Sequence, residues 1–171
     1  MPVIEGSGGM LSGAGAPGAG TSEVQTLTIG GTPTGGTFQL AFEGLTTAAI
    51  PWSNVNATLI AAIDAALEAL ASIGTGNVVV AVGTMTAGIG TATITFGGSL
   101  AAKAVATIAV ANNSLTGTSP TLAVAETTPG VDAAGRGAAK GTLYTDVTNG
   151  VLYISTAAAP TPTWVKVGLQ S

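Results

Sequence analysis

Only one stretch of this sequence has the residue spacing of an amphipathic helix, and this limits the possible fold more than any other feature. Ser53 or Asn54 is suited to cap the beginning of this helix, and Gly74 fits the left-handed position just past its end. The apolar residues follow one another at steps of four, four and three and so form one stripe: Leu59, Ile63, Leu67 and Leu70. The sequence therefore predicts a single helix over about residues 54–73.

Alternation of apolar and polar residues predicts strands on both sides of this helix. Val24–Ile29 and Thr37–Glu43 alternate, and the glycine-rich cluster Gly30–Gly36 separates them. These three segments predict a β-hairpin with one buried face. After the helix, Asn77–Val82 is a run of β-branched residues, which is typical of a strand buried on both faces.

The rest of the central region also favours strands. Leu45–Trp52, Thr91–Phe96 and Pro120–Glu126 are further predicted strands, and Asn112–Ser114 is a predicted turn. Leu100–Ala111 is compatible with either a helix or a strand. The predicted fold class is mainly β (α+β), with an antiparallel sheet or sandwich and one helix.

The C-terminal stretch Gly141–Gly168 predicts a small three-stranded meander. Its strands would be Leu143–Asp146, Val151–Ser155 and Trp164–Val167, and Asn149-Gly150 tolerates the positive φ of a tight hairpin turn. Three short strands need a packed face to be stable in water.

Changes in composition divide the chain into four predicted parts. Residues 1–22 are rich in Gly, Ala and Ser and predict an extended arm. Residues 23–127 form the β-rich domain, residues 128–140 a linker, and residues 141–171 the meander.

The charged and ionisable residues exclude several classes of function. The chain has 4 Lys and Arg, 8 Asp and Glu, no His and no Cys. Binding of nucleic acid requires clustered cations, which four basic residues do not supply. The sequence has no apolar run of about 18 residues and no basic segment followed by an apolar core, so it predicts neither a membrane span nor a signal peptide. Without His or Cys, we expect no enzyme activity, no metal site and no cofactor.

Two groups of side chains remain candidates for a site. Asp64 and Glu68 lie one helical turn apart, which suits a carboxylate pair but equally a helix face exposed to solvent. A pair formed between two chains, such as Asp64 with Glu126, is a further possibility. Three aromatic residues of the meander would form either a sugar-binding platform or the core of a very small module: Tyr144, Tyr153 and Trp164.

Three stretches of the chain together resemble structural proteins of tailed bacteriophages. Val3–Pro17, VIEGSGGMLSGAGAP, looks like the glycine-rich arm of phage virion proteins, and Gly141–Gly168, GTLYTDVTNGVLYIST…PTWVKVG, looks like a meander that accompanies it. Glu23–Trp52, followed by a helix with the letters AALEAL, is similar to a β-rich repeat domain of phage and other large surface proteins.

This resemblance implies a non-enzymatic role in the virion. We expect a capsid decoration (cement) protein on the outer capsid surface, whose partners are the major capsid protein and sister copies, with a trimer as the expected homo-oligomer. A tail or fibre component and a glycan-binding adhesion module are the alternatives. The resemblance implies no catalytic residue.

Overall fold

The chain folds into two compact units, which we describe separately. The computed structural model describes residues 10–13, 20–132, 141–146, 149–156 and 163–167. Unit 1 comprises Met1–Gly20 and Asp132–Ser171, and unit 2 comprises Thr21–Val131. The prediction of a mainly β protein is confirmed, and the described residues contain the one predicted α-helix. Two predicted parts lie largely outside the described residues: the arm apart from 10–13 and 20–22, and the linker over 133–140.

The elements are numbered in chain order. Unit 1 contains β1 (Met10–Gly13), β8 (Leu143–Asp146), β9 (Val151–Ser155) and β10 (Trp164–Val167). Unit 2 contains β2 (Val24–Phe42), β3 (Leu45–Thr46), β4 (Ile50–Pro51), α1 (Asn56–Glu68), β5 (Val78–Val82), β6 (Gly90–Phe96), a 3-10 helix (Gly98–Leu100) and β7 (Ala109–Thr128).

A long two-stranded ribbon dominates unit 2. β2 has 19 residues and β7 has 20, and they pair antiparallel from one end to the other. The predicted hairpin between Val24–Ile29 and Thr37–Glu43 is therefore wrong, because both segments belong to one strand that pairs with β7. The predicted turn at Asn112–Ser114 is wrong for the same reason, since these residues lie inside β7.

The glycine cluster bends this ribbon instead of ending a strand. The side-chain amide of Asn113 donates to the carbonyl of Pro120 at 3.2 Å. Seven residues of straight strand would span about 23 Å, so β7 folds sharply between the two. The bend coincides with shifts in register near Gly30 and Pro33 and with positive φ angles of 73° at Gly31 and 131° at Gly117. Glycine reaches these angles without a steric penalty.

Helix α1 covers one face of the sheet. It begins at Asn56 and ends at Glu68, five residues short of the predicted end, and the chain continues in turns to Gly74 (φ 78°). The predicted cap is also different, because Val55 occupies the N-cap and its N–H is bonded to the hydroxyl of Ser53 at 3.1 Å. The four residues of the apolar stripe are buried as the spacing predicts, and Ile73 beyond the helix is buried as well.

The core of unit 2 lies between α1 and the sheet. Phe42 and Phe96 stack there with ring centroids 5.5 Å apart. Leu27 and Ile29 on β2 point into this core, whereas Thr26 and Thr28 point away, as their alternation predicts. β5 departs from prediction: Val78 and Val80 are buried but Val79 is 61% exposed, because the helix covers only one face of this edge strand.

Unit 1 contains a four-stranded sheet in the order β1-β8-β9-β10. β8, β9 and β10 form the antiparallel meander that the sequence predicts, with the predicted bounds. Gly150 has a φ of 64°, as expected for the Asn-Gly turn. β1 pairs parallel with β8, so that Met10–Gly13 of the predicted arm is a strand of the same sheet.

Candidate functional site

The carboxylates of α1 are bound to backbone amides and do not form a pair directed at a ligand. Asp64 Oδ1 accepts the N–H of Val80 at 2.9 Å, and Glu68 Oε1 accepts the N–H of Gly76 at 2.6 Å. Both side chains are half-buried. The two carboxylates attach the helix to the chain that follows it.

Glu126 lies far from these carboxylates in the order of strands. Where β2 spans Val24–Ile29, the sheet runs β5-β6-β2-β7, and Glu126 is exposed on β7 while Asp64 is bound to β5 at the opposite edge. A carboxylate pair between Asp64 of one chain and Glu126 of a second chain stays a prediction. Within the described parts of the chain, no group of three or more His, Cys, Asp or Glu side chains is placed to hold a metal ion.

A buried polar pair was missed by the sequence analysis. Glu23 is 1% exposed and Gln25 is 0% exposed, and the Gln25 amide donates to Glu23 Oε1. Glu23 Oε2 accepts the N–H of Val105 at 2.9 Å, and Gln25 Oε1 accepts the N–H of Ile108 at 2.8 Å. Gln25 also donates to the carbonyl of Ala106 at 3.0 Å.

The Glu23–Gln25 pair has a structural role. It supplies hydrogen-bond partners to the backbone of residues 104–108, which belongs to no helix or strand and therefore lacks the partners of regular structure. The available signal was the position of Gln25, which shares the buried side of the β2 alternation with Leu27 and Ile29. A polar residue in such a series indicates a buried polar group that needs a hydrogen-bond partner.

The aromatic residues of unit 1 form a packed cluster. The ring centroid of Tyr144 lies 6.3 Å from that of Tyr153 and 5.8 Å from that of Trp164, with interplanar angles of 62° and 63°. These are the edge-to-face contacts that aromatic pairs prefer. Tyr144 is only 5% exposed, while Tyr153 and Trp164 are half-buried. The cluster has the geometry of a small core, and Tyr144 offers little ring surface to a sugar.

The opposite face of this sheet carries aliphatic side chains. The register places Leu143 opposite Ile154, and Leu152 opposite Val167. Val165 is 52% exposed and Val167 is 37% exposed, while the other three are half-buried. We call this set the aliphatic face of unit 1: Leu143, Leu152, Ile154, Val165 and Val167.

Unit 2 also has an uncovered sheet face, on the side away from α1. The register aligns Ala81, Thr93, Thr26 and Ala125 in one row across four strands. No charged residue belongs to this group of small side chains, which we call the outer face of unit 2: Thr26, Thr28, Val79, Ala81, Thr91, Thr93, Thr95, Thr121, Ala123 and Ala125. Seven of the ten are exposed, and the other three are half-buried.

The sequence contains neither His nor Cys, and the carboxylates of Glu23, Asp64 and Glu68 each accept a backbone N–H. In the described portion of the chain, no helix is long and apolar enough to span a membrane.

Comparisons with known structures give a loose likeness. No protein-family model matches the sequence, and no curated protein matches it. A chain of known structure from Mycobacterium phage Patience is similar to it, with 17% identity and a TM-score of 0.44. The match covers 88% of this chain and 57% of the phage chain, so that the protein spans little more than half the length of that neighbour. At this TM-score the likeness assigns no role to the protein.

Proposed function

We propose that the protein is a non-enzymatic structural component of a tailed-phage virion, and specifically a decoration protein of the outer capsid surface that bridges capsid subunits. The phage part of the proposal comes from the resemblance of Val3–Pro17 and Gly141–Gly168 to virion proteins. The observation that carries the attachment part is the aliphatic face of unit 1, formed on a sheet that joins the beginning and the end of the chain.

In this proposal, the aliphatic face of unit 1 is the surface that contacts the capsid. Val165 and Val167 are the most exposed of its members. Complete burial of a valine side chain contributes about 1.5–3 kcal/mol, so a handful of such contacts gives modest affinity for each copy. Repetition over a symmetric shell, with contacts to sister copies, would raise the collective affinity through avidity.

The ends of unit 2 fit its role as an insertion carried by unit 1. Thr21 and Val131 exchange two backbone hydrogen bonds, of 2.9 Å and 2.8 Å. Because the first and last residues of unit 2 lie side by side, the chain enters and leaves this unit at the same place. In the proposal, unit 2 projects from the capsid or contacts sister copies, while unit 1 provides the attachment.

A charge substitution on the aliphatic face tests the proposal. Val165→Lys removes an apolar contact and places a cation in the interface, so we expect it to lower capsid occupancy at least about tenfold. Leu45→Lys is the matched control, because Leu45 is 41% exposed but belongs to unit 2. Occupancy would be measured by co-sedimentation with undecorated capsids and by cryo-electron microscopy.

Full occupancy by the Val165→Lys protein would contradict the proposed attachment surface. Removal of residues 1–22, which include β1, should also abolish capsid binding while unit 2 remains folded. Co-purification with tails at a few copies per virion would favour the tail or fibre alternative. Binding on a glycan array that is lost in Trp164→Ala would favour the adhesion alternative.

A further inference from the structure

The two edges of the unit 2 sheet differ in how they are closed. At the β5 edge, the carboxylate of Asp64 accepts the outward N–H of Val80 at 2.9 Å, and α1 packs beside the strand. A charged group directed at the backbone of an edge strand is a common protection against pairing with another chain. The β5 edge is therefore occupied within the molecule.

The β7 edge has no such protection among the described residues. From Thr121 to Glu126, β7 forms six consecutive pairs with β2, and no other described strand pairs with it. Five of these six residues are uncharged, and none is Lys, Arg or Pro. The nearest shifts in register lie beyond its two ends, between Val24 and Gln25 and between Gly30 and Thr32 of β2, so this segment itself is regular. Its outward N–H and C=O groups form a template for another strand.

The side chains beside this edge favour the same kind of contact. Thr121, Ala123 and Ala125 are exposed and continue the outer face of unit 2 up to the edge. Leu122 and Val124, on the other side, are half-buried against the core. A strand added at β7 would therefore extend the small, uncharged outer face on one side and the apolar layer on the other.

We infer that the occupant of this edge is a second copy of the same chain, whose β7 pairs antiparallel with the first across a two-fold axis. The axis runs perpendicular to the sheet and passes near Ala123 or Val124, because only then do both outer faces lie on one side. The result is a continuous eight-stranded sheet, β5-β6-β2-β7 of one copy followed by β7-β2-β6-β5 of the other.

Charge is the reason to choose a second copy over a different partner. The edge offers no cation or anion cluster that would select a charged peptide, and identical neutral strands satisfy each other's donors and acceptors equally. The one charged residue of this edge, Glu126, does not lie opposite the Glu126 of the second copy. The two side chains are six residues apart along the strands if the axis passes near Ala123 and four if it passes near Val124, or roughly 14–20 Å. This exceeds the Debye length of about 8 Å at physiological ionic strength, so their repulsion is screened.

The length of the edge predicts the strength of the contact. Six residues on each side form a smaller interface than the standard size of about 800 Å² per partner. The dissociation constant of the dimer should therefore be micromolar or higher, so that the dimer forms fully only where copies are concentrated. The inference concerns this chain alone and does not rest on the capsid role.

Sedimentation of the full chain at increasing concentration tests the inference. The wild-type protein should show a monomer–dimer equilibrium. Ala123→Lys places two cations directly or diagonally opposite each other, within about 8 Å, and should raise the dimer dissociation constant at least about tenfold. Ala81→Lys is the matched control, because Ala81 is also an exposed alanine of the outer face but lies on β5. It should leave the constant unchanged.

Charge reversal gives the sharpest outcome. An equimolar mixture of Ala123→Lys and Ala123→Glu proteins should dimerise again, because the opposed charges now attract. If circular dichroism shows that Ala123→Lys does not fold, Ala123→Glu alone repeats the test, because it places two like charges at the same position. A wild-type monomer at about 1 mM, a trimer without a dimer, an unaffected Ala123→Lys, or equal weakening by Ala81→Lys would each overturn the inference.

Discussion

The buried Glu23–Gln25 pair makes a strong prediction about the stability of unit 2. Gln25→Leu keeps the size of the side chain and removes three hydrogen bonds, to Glu23, to the carbonyl of Ala106 and from the N–H of Ile108. The bond to the carboxylate is worth about 1.5–3 kcal/mol and each neutral bond about 1 kcal/mol. The expected loss in free energy of unfolding is therefore about 3–5 kcal/mol, a large part of the roughly 5–15 kcal/mol of a typical domain.

Urea unfolding monitored by circular dichroism measures this loss. Gln39→Leu is the matched control, because Gln39 is half-buried on the same strand and its amide donates one bond, to the carbonyl of Thr47 at 2.9 Å. Its expected cost is about 1 kcal/mol. A thermal midpoint would fall by at least about 10 °C for Gln25→Leu in a unit of this size.

Amide hydrogen exchange locates the effect. The N–H of Ile108 loses its acceptor in Gln25→Leu, whereas the N–H of Val105 keeps the carboxylate of Glu23. We therefore expect exchange at Ile108 to accelerate more than exchange at Val105. The reasoning is refuted if Gln25→Leu costs less than about 1 kcal/mol, or no more than Gln39→Leu, because the hydrogen bonds of the pair would then contribute nothing measurable.

Two further substitutions test the bend of the ribbon and the protected edge. Gly31→Ala should lower the free energy of unfolding in urea by about 2–3 kcal/mol more than Gly44→Ala does. Both glycines have a positive φ, of 73° and 81°. A Cβ at Gly31 would lie 2.1 Å from the carbonyl oxygen of Ser119, whereas a Cβ at Gly44 meets no atom within 4 Å. Equal costs would show that the ribbon shifts freely at the bend. Asp64→Ala should lower the free energy of unfolding by about 1–2 kcal/mol and increase light scattering, because the N–H of Val80 loses its acceptor and the β5 edge is opened. Asp64→Asn keeps an acceptor oxygen and should lie between Asp64→Ala and wild type. An Asp64→Ala protein as stable and as monodisperse as wild type would contradict this prediction.

Local patterns were sufficient for the meander and for the buried face of the helix. The strands β8, β9 and β10 have the predicted bounds because an Asn-Gly turn and short β-branched runs specify them within a few residues. The stripe from Leu59 to Leu70 is buried as predicted, because the spacing alone places these side chains on one face. The end of the helix was less well predicted, since Leu70 and Ile73 continue the apolar pattern through turns that are not helical.

The partners of each strand could not be read in the same way. Gly30–Gly36 reads as a hairpin turn, yet it is a bend in β2 because β7, about 80 residues later, pairs with the strand on both sides of it. The bond from the N–H of Ile108 to Gln25, 83 residues earlier in the chain, has the same character. Nothing near Gln25 in the sequence identifies that partner.

The sequence by itself determined the class of the protein: mainly β, with one helix, a C-terminal meander, few charges, and no His or Cys. It did so because composition and residue spacing act over a few neighbours. Only the tertiary structure decided that β1 joins the meander and that α1 covers one sheet face of unit 2 and leaves the other uncovered. It also decided that Asp64 closes the β5 edge, while β7 pairs with β2 alone among the described strands. These arrangements depend on contacts between distant residues, which hydrogen-bond satisfaction and core packing select over the whole chain.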